Sequence, residues 1–194
     1  MIQTLSIILP IHNERENILP LVEEIKHALA EFEGRYEIIA VDDGSTDGSL
    51  LKLREVAKTH HALKIVVLRR NYGQSAAFDA GFRASTGDFV VTMDADRQND
   101  PSDIPKMITP LISGEYDFVA GRRANRKDGW VLRKIPSHIA NAIIRKVTKT
   151  KISDLGCSLK AYKRSFVDDL YLYGEMHRFI GVLMEDMGAR TLQI

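Results

Sequence analysis

Two aspartates one residue apart, Asp94 and Asp96, follow a short apolar run at 89–93, and Gln98 stands two residues further on. A carboxylate pair leaving a buried strand suits a hard divalent cation, Mg2+ or Mn2+, that is also held by phosphate oxygens, and Gln98 offers a third, neutral oxygen. Such an ion acts as a Lewis acid, offsetting charge that builds on a departing diphosphate. Against this stands a plainer reading of the same stretch as a polar turn, with Asp100-Pro101-Ser102 capping the next helix.

Other polar clusters at equivalent places favour the chemical reading. Asp42-Asp43-Gly44-Ser45-Thr46-Asp47 combines a tight turn, a helix cap and carboxylates able to accept hydrogen bonds from a nucleobase or ribose. Turn formation accounts for Gly44, Ser45 and Asp47. It does not account for two adjacent aspartates, whose repulsion asks for a ligand or a donor, and Asp43 is the candidate. In Pro10-Ile11-His12-Asn13-Glu14, Pro10 stops a strand, Asn13 suits a helix cap and Glu14 suits the helix dipole. Arg122 and Arg123 follow an apolar run at 118–120 through Gly121. A guanidinium there is shaped for bidentate phosphate contact, and Arg123 is preferred.

These clusters need strands to carry them. Apolar runs at 5–9, 36–41, 64–68 and 89–93 alternate with helical patterns at 16–32, 48–59 and 75–84. Continuous apolar strands separated by helices imply parallel pairing with both faces covered, hence an α/β, doubly wound, mostly parallel sheet flanked by helices. Ligands of such sheets sit beyond the carboxyl ends of the strands, which is where every polar cluster above falls. After Pro101 the alternation fades into a helix at 104–112, a strand at 118–120 and helical spacing at 131–147.

The chain has 194 residues and 44% hydrophobic content, enough for one core, so one domain is expected, with a nucleotide-binding half at 1–100 and an acceptor-facing and membrane-facing half at 101–194. A net charge of +1 gives no reason to expect a nucleic-acid partner. The charge is polarised, however: residues 122–164 hold thirteen Lys or Arg against two Asp. Within them Trp130, Leu132, Ile135, Ile139, Ala142 and Ile143 alternate with Arg133, Lys134, Arg145, Lys146 and Lys149, the composition of a helix lying in an anionic interface. A core helix with a solvated basic face is the competing reading. The lone Cys157 excludes an intrachain disulfide and fits a reducing compartment. No stretch approaches the roughly 20 apolar residues that span a bilayer, so the expected location is peripheral, on the cytoplasmic face of a membrane.

Taken together, Leu9-Pro10-Ile11-His12-Asn13-Glu14, Val41-Asp42-Asp43-Gly44-Ser45-Thr46-Asp47, Asn71-Tyr72-Gly73-Gln74, Asp94-Ala95-Asp96-Arg97-Gln98, Gly121-Arg122-Arg123 and Gly174-Glu175-Met176-His177-Arg178-Phe179-Ile180 resemble family 2 glycosyltransferases of the GT-A fold. Within that family the likeness is to the dolichyl-phosphate mannose synthase and bacterial polyprenyl-phosphate glucosyltransferase group. The resemblance implies that Pro10, His12, Glu14, Val41 and Asp43 line a nucleoside pocket. It implies that Asp94, Ala95, Asp96 and Gln98 hold metal and diphosphate, and that Arg123 faces the donor phosphates. Arg133 and Ser137 match positions that receive a lipid phosphate. Asp154 and the pair His177-Arg178 match further cleft positions, Arg178 on the acceptor-phosphate side. Related chains usually continue past the position of Ile194 into an Arg-X-X-Gly-X-Ser-Lys segment and often into membrane-spanning helices. The expectation is therefore a truncated catalytic domain, or a chain served by a separate membrane-anchor subunit or a homo-oligomer. Relatives also often carry Ser where Arg122 stands.

The activity implied is inverting, metal-dependent transfer of a hexose from uridine-linked glucose or guanosine-linked mannose to a polyprenyl or dolichyl phosphate. Transfer to a sugar hydroxyl by the same fold, or a lipid-surface binding module without turnover, are the alternatives. A nicotinamide-dependent oxidoreductase is excluded because no Gly-X-Gly-X-X-Gly follows the first strand, and a phosphate-loop NTPase because Gly-X4-Gly-Lys-Ser/Thr is absent.

Overall fold

Strands built from unbroken apolar runs must be covered on both sides, and the computed structural model, which describes residues 3–122, 150 and 152–194, shows how this is done. The first four strands are β1 (Thr4–Ile11), β2 (Arg35–Asp42), β3 (Leu63–Val67) and β4 (Phe89–Thr92). They pair in parallel in the order β3-β2-β1-β4. Three more strands, β5 (Phe118–Ala120), β6 (Lys160–Lys163) and β7 (Thr191–Gln193), extend the sheet. β6 lies antiparallel between β4 and β5, and β7 runs parallel to β5, giving seven strands in the order β3-β2-β1-β4-β6-β5-β7.

Adjacent residues of β1 serve opposite faces. Ile7 packs with helices α1 (Ile18–Ala28), α2 (Ser49–Val56) and α4 (Ile104–Ile112), while Ile8 packs with α3 (Gln74–Ala84) and a helix at Ile180–Asp186. Both isoleucines are fully buried, each contributing about 1.5–3 kcal/mol by leaving water. At Gly81 of α3 an added Cβ would lie 2.3 Å from Ile8 Cγ2, so only glycine lets that helix sit this close to β1.

The order of connections places the site. From β1 the chain winds outward through α1 and α2 to β3, then α3 carries it across the other face to β4, on the far side of β1. The β1/β4 boundary is thus a topological switch point, where helices diverge and leave a crevice beyond the carboxyl ends of the strands.

Helix α4 and β5 have the expected bounds, and the other early elements differ by a few residues at their ends. The largest difference is at the end of α1, expected at residue 32 and observed at Ala28, and its start is at Ile18 where residue 16 was expected. Residues 14–17 instead form a turn closed by Asn17 N–H on the Glu14 carbonyl at 2.9 Å. Strands β6 and β7 and the Ile180–Asp186 helix were not expected. β6 (Lys-Ala-Tyr-Lys) and β7 (Thr-Leu-Gln) lack the unbroken apolar run that marked β4 and β5, and the seven-residue helix spans under two turns. The helical spacing at 131–147 lies outside the described residues.

Candidate active site

At the switch point a cleft of roughly 290 Å3 is bounded on the β1 side by Pro10, Ile11, His12 and Glu14, and on the β4 side by Asp94, Ala95 and Asp96. Asp43 from β2 and Asn71, Gly73, Gln74 and Ala77 from the start of α3 complete it. A larger hollow of roughly 570 Å3, between α1 and α4, opens at the amino edge beside Gln3 and Gly34, away from every polar strand-end cluster.

The β2 side is built by interlocking turns. Gly44 has φ +65, and a Cβ there would meet the Arg70 carbonyl carbon at 2.4 Å, so the turn after β2 can lie against the 70–73 loop only with glycine. That contact brings the Asp43 carboxylate under two backbone donors, Tyr72 N–H at 2.7 Å and Gly73 N–H at 2.8 Å. The repulsion between Asp42 and Asp43 is thus relieved partly by backbone, although Asp43 still lines the cleft. His12 Nδ1 lies 2.9 Å from the Asp43 carbonyl. A carbonyl only accepts, so Nδ1 carries the proton and Nε2 is left to accept from Asn71 Nδ2 at 3.0 Å.

Asn13 is not the helix cap. Its backbone is left-handed, φ 59, which turns its side chain toward the 42–47 turn, where Oδ1 accepts from Thr46 N–H at 2.8 Å. Glu14 Oε2 accepts from Asn17 Nδ2 at 2.6 Å, which orients its carboxylate at the cleft wall.

On the β4 side Asp94 is half-buried and Asp96 exposed, with Ala95 buried in the core between them. Asp94 Oδ1 accepts from the Gln74 side-chain amide. Asp96 Oδ1 accepts from Gln98 N–H at 3.0 Å. Asp100 does cap the following 3-10 turn, accepting from Ser102 N–H at 2.9 Å, so the turn reading holds for that residue while Asp94 and Asp96 face the cleft.

Two expected ligands are not among the cleft-lining residues. Val41 is fully buried in the core with Ala77 and Phe78, inside the strand that Asp43 follows. Gln98 is exposed beyond Arg97, whose left-handed backbone at φ 59 swings the chain away and whose guanidinium pairs with Glu24 on α1. Its contribution here is the backbone N–H on Asp96. Arg122 is exposed, its N–H on the Ile194 carbonyl at 2.7 Å. Arg123, Arg133 and Ser137 lie outside the described residues. Asp154 closes a local turn through Gly156 N–H at 3.2 Å. His177 is anchored beside α3, its Nδ1 2.8 Å from Ser75 Oγ, and burial lowers its pKa. Arg178 points elsewhere, exposed and paired with Glu175 at 3.2 Å.

Asn71 and Gln74 line the cleft without having been assigned a role from sequence. They follow the third strand, in the Asn71-Tyr72-Gly73-Gln74 motif that the sequence offered without a role. The cleft's electrostatics are one-sided: Glu14, Asp43, Asp94 and Asp96 line it, with no Lys or Arg among the described lining residues. An anionic ligand enters such a cleft only with a cation beside it. Asp94 and Asp96 fit Mg2+ or Mn2+, which bind through one or two carboxylates and complete their shell with phosphate oxygens and water. Among the described residues no group of three or more His, Cys, Asp or Glu forms an all-protein metal site.

The mostly parallel sheet with its cleft at the switch point has the GT-A fold, as its structural neighbours do. The chain belongs to glycosyl transferase family 2, which it matches over residues 6–171. It is 49% identical over 177 residues to a dodecaprenyl-phosphate galacturonate synthase of Rhizobium johnstonii, covering 91% of this chain and 52% of that protein. It is 40% identical over 195 residues to an undecaprenyl-phosphate 4-deoxy-4-formamido-L-arabinose transferase of Proteus mirabilis, covering all of this chain and 59% of that one. The chain thus spans little more than half the length of these relatives. In fold it is similar to glucosyl-3-phosphoglycerate synthase of Mycobacterium tuberculosis, solved with Mn2+, uridine diphosphate and phosphoglyceric acid, with TM-score 0.74, 21% identity and coverage of 98% of this chain and 68% of that one.

Proposed function

We propose that this chain is the catalytic domain of a glycosyltransferase that moves a sugar from a nucleotide diphosphate to a polyprenyl phosphate at a membrane surface, with Mg2+ or Mn2+ bound by Asp94 and Asp96. The observation that carries the proposal is the acidic cleft at the β1/β4 switch point. Its four carboxylates suit a cation-bound nucleotide diphosphate and oppose a bare anion. The lipid acceptor is supported by two relatives whose names both specify polyprenyl phosphates. Those names specify galacturonate and 4-deoxy-4-formamido-L-arabinose, so the donor is taken more broadly than glucose or mannose.

A bound divalent cation would stabilise the negative charge of the leaving diphosphate. The chain's own residues do the rest. Asp43, His12 and Asn71 order the nucleoside end through one connected set of hydrogen bonds. Gln74 orients Asp94. A phosphate monoester has a second pKa of about 6 and needs no strong general base, so one in-line displacement with inversion suffices. Arg123 is assigned to the donor phosphates, and Arg133 and Ser137 to the acceptor phosphate, with the basic stretch at 122–149 assigned to an anionic bilayer. No helix among the described residues is long and apolar enough to cross a membrane. The proposed place of action is a membrane surface, where a polyprenyl phosphate would be met.

A panel of labelled nucleotide sugars, including uridine-linked galacturonate, offered with short polyprenyl phosphates and Mn2+, tests the reading. Transfer to the lipid phosphate that ceases on chelation is expected. Transfer that persists in chelator refutes the cation assignment, and transfer to sugar hydroxyls in place of the lipid refutes the acceptor.

A further inference from the structure

We infer that Ser158 is a positioning residue for the carboxylate loop of the cleft, holding residues 94–99 at both ends through a single hydroxyl. The inference rests on the reading of Asp94 and Asp96 as cation ligands and adds a residue that does not itself line the cleft.

Ser158 lies two residues before β6 and is 8% exposed. Its Oγ accepts from Asp94 backbone N–H at 3.2 Å and from Asn99 Nδ2 at 2.9 Å. Its carbonyl accepts from the Thr92 hydroxyl at 2.9 Å, and Thr92 pairs with Lys160 across the β4/β6 register. Ser158 is therefore tied by its backbone to the strand from which the loop departs, and by its side chain to the loop's first and last members.

Between those ends lie Asp96, the left-handed Arg97 and Gln98. Closing a short loop at both ends onto one fixed atom removes most of its freedom during folding, before any ligand arrives. A cation that must gather two carboxylates then finds them already ordered, the advantage that supporting residues give to metal ligands generally. Removing the hydroxyl strips both Asp94 N–H and the Asn99 amide of an acceptor and lets the two ends move independently. A residue needed only to hold the fold would lower stability without a selective loss of cation affinity.

The test is equilibrium Mn2+ binding in the presence of uridine or guanosine diphosphate, read from the electron paramagnetic resonance signal of free Mn2+, for wild type, Ser158→Ala, Ser158→Thr and Asn99→Ala. Wild type should bind, and Ser158→Ala should bind about tenfold or more weakly, as second-layer partners of metal ligands generally do. Threonine should restore most of the affinity, and Asn99→Ala should lose less than Ser158→Ala. Amide hydrogen exchange should quicken across 94–99 in Ser158→Ala and not in β1 or α3. Absence of Mn2+ binding by wild type with either nucleotide overturns the cation reading itself. Wild-type binding that Ser158→Ala leaves unchanged, or weakening that threonine fails to restore, overturns the positioning role alone. Should Ser158→Ala fail to fold, unchanged Mn2+ affinity and unchanged exchange in Asn99→Ala overturn it equally.

Discussion

The two edges of the sheet use the same residue types for opposite ends. At the amino edge, Glu37 accepts from Ser6 Oγ at 2.7 Å, Thr86 N–H at 2.7 Å and Thr86 Oγ1 at 2.9 Å, and pairs with Lys64 at 2.5 Å. Asp117 accepts from Lys163 Nζ at 2.7 Å and takes two bonds from the Arg190 guanidinium at 2.8 Å. These carboxylates join strands distant in sequence, and cationic partners within the chain neutralise them. At the carboxyl edge the carboxylates of Glu14, Asp43, Asp94 and Asp96 line one cleft. The first set joins the strands to one another, and the second lies where a ligand of such a sheet would sit.

Breaking the carboxyl edge should give the largest effect on function and the smallest on stability. Asp96→Asn should cut transfer by roughly 10²-fold or more, equivalent to about 3 kcal/mol of transition-state stabilisation, while the melting temperature stays within about 2 °C of wild type. Steady-state rates and a thermal melt on the same preparation check both halves. An unaffected rate would remove the functional distinction between the edges.

Breaking the amino edge should do the reverse. Asp117→Asn leaves Lys163 and Arg190 without their charged acceptor and should cost about 2–3 kcal/mol in denaturant unfolding. The rate per folded molecule should not change. A comparable loss of turnover in the folded fraction would show that the edges are not separable in function.

Acid sharpens the contrast further. Burial pushes the Glu37 carboxyl up, but hydrogen bonds from Lys64, Ser6 and Thr86 together outweigh it and hold the pKa at about 2, below its ordinary 4.5. A folded pKa below the unfolded one means that stability is fully present above pH 4.5 and is lost as pH falls toward 2. The Arg190 hydrogen bonds, opposed by burial and joined by Lys163, likewise hold Asp117 well below the carboxylate range. Denaturant midpoints measured through this window should fall more steeply for wild type than for Glu37→Gln. Parallel curves would deny Glu37 its part.

Most of the cleft was legible because its residues end strands that announce themselves. Pro10, His12, Glu14, Asp43, Asp94 and Asp96 each follow an apolar run, and parallel pairing brings such ends to one edge. Val41 lies in the core beside Ala77, a placement that its position in a motif does not reveal. Gln98 is exposed and outside the cleft lining, and nothing in the sequence marks the preceding Arg97 as left-handed. Asn13 was open to reading as a cap because asparagine favours caps and turns equally.

Sequence alone determined the parallel half of the sheet, the edge that bears the chemistry and the family, since apolar periodicity and strand-end polarity are local properties of the chain. Only the tertiary structure decided that β6 runs antiparallel beside β4, that Ser158 meets Asp94 and Asn99 across about sixty residues, and that Asp43 is held by the loop before α3. The reason is physical: a strand bounded by two lysines and a single hydroxyl carry no apolar pattern of their own, and their partners exist only once distant segments pack.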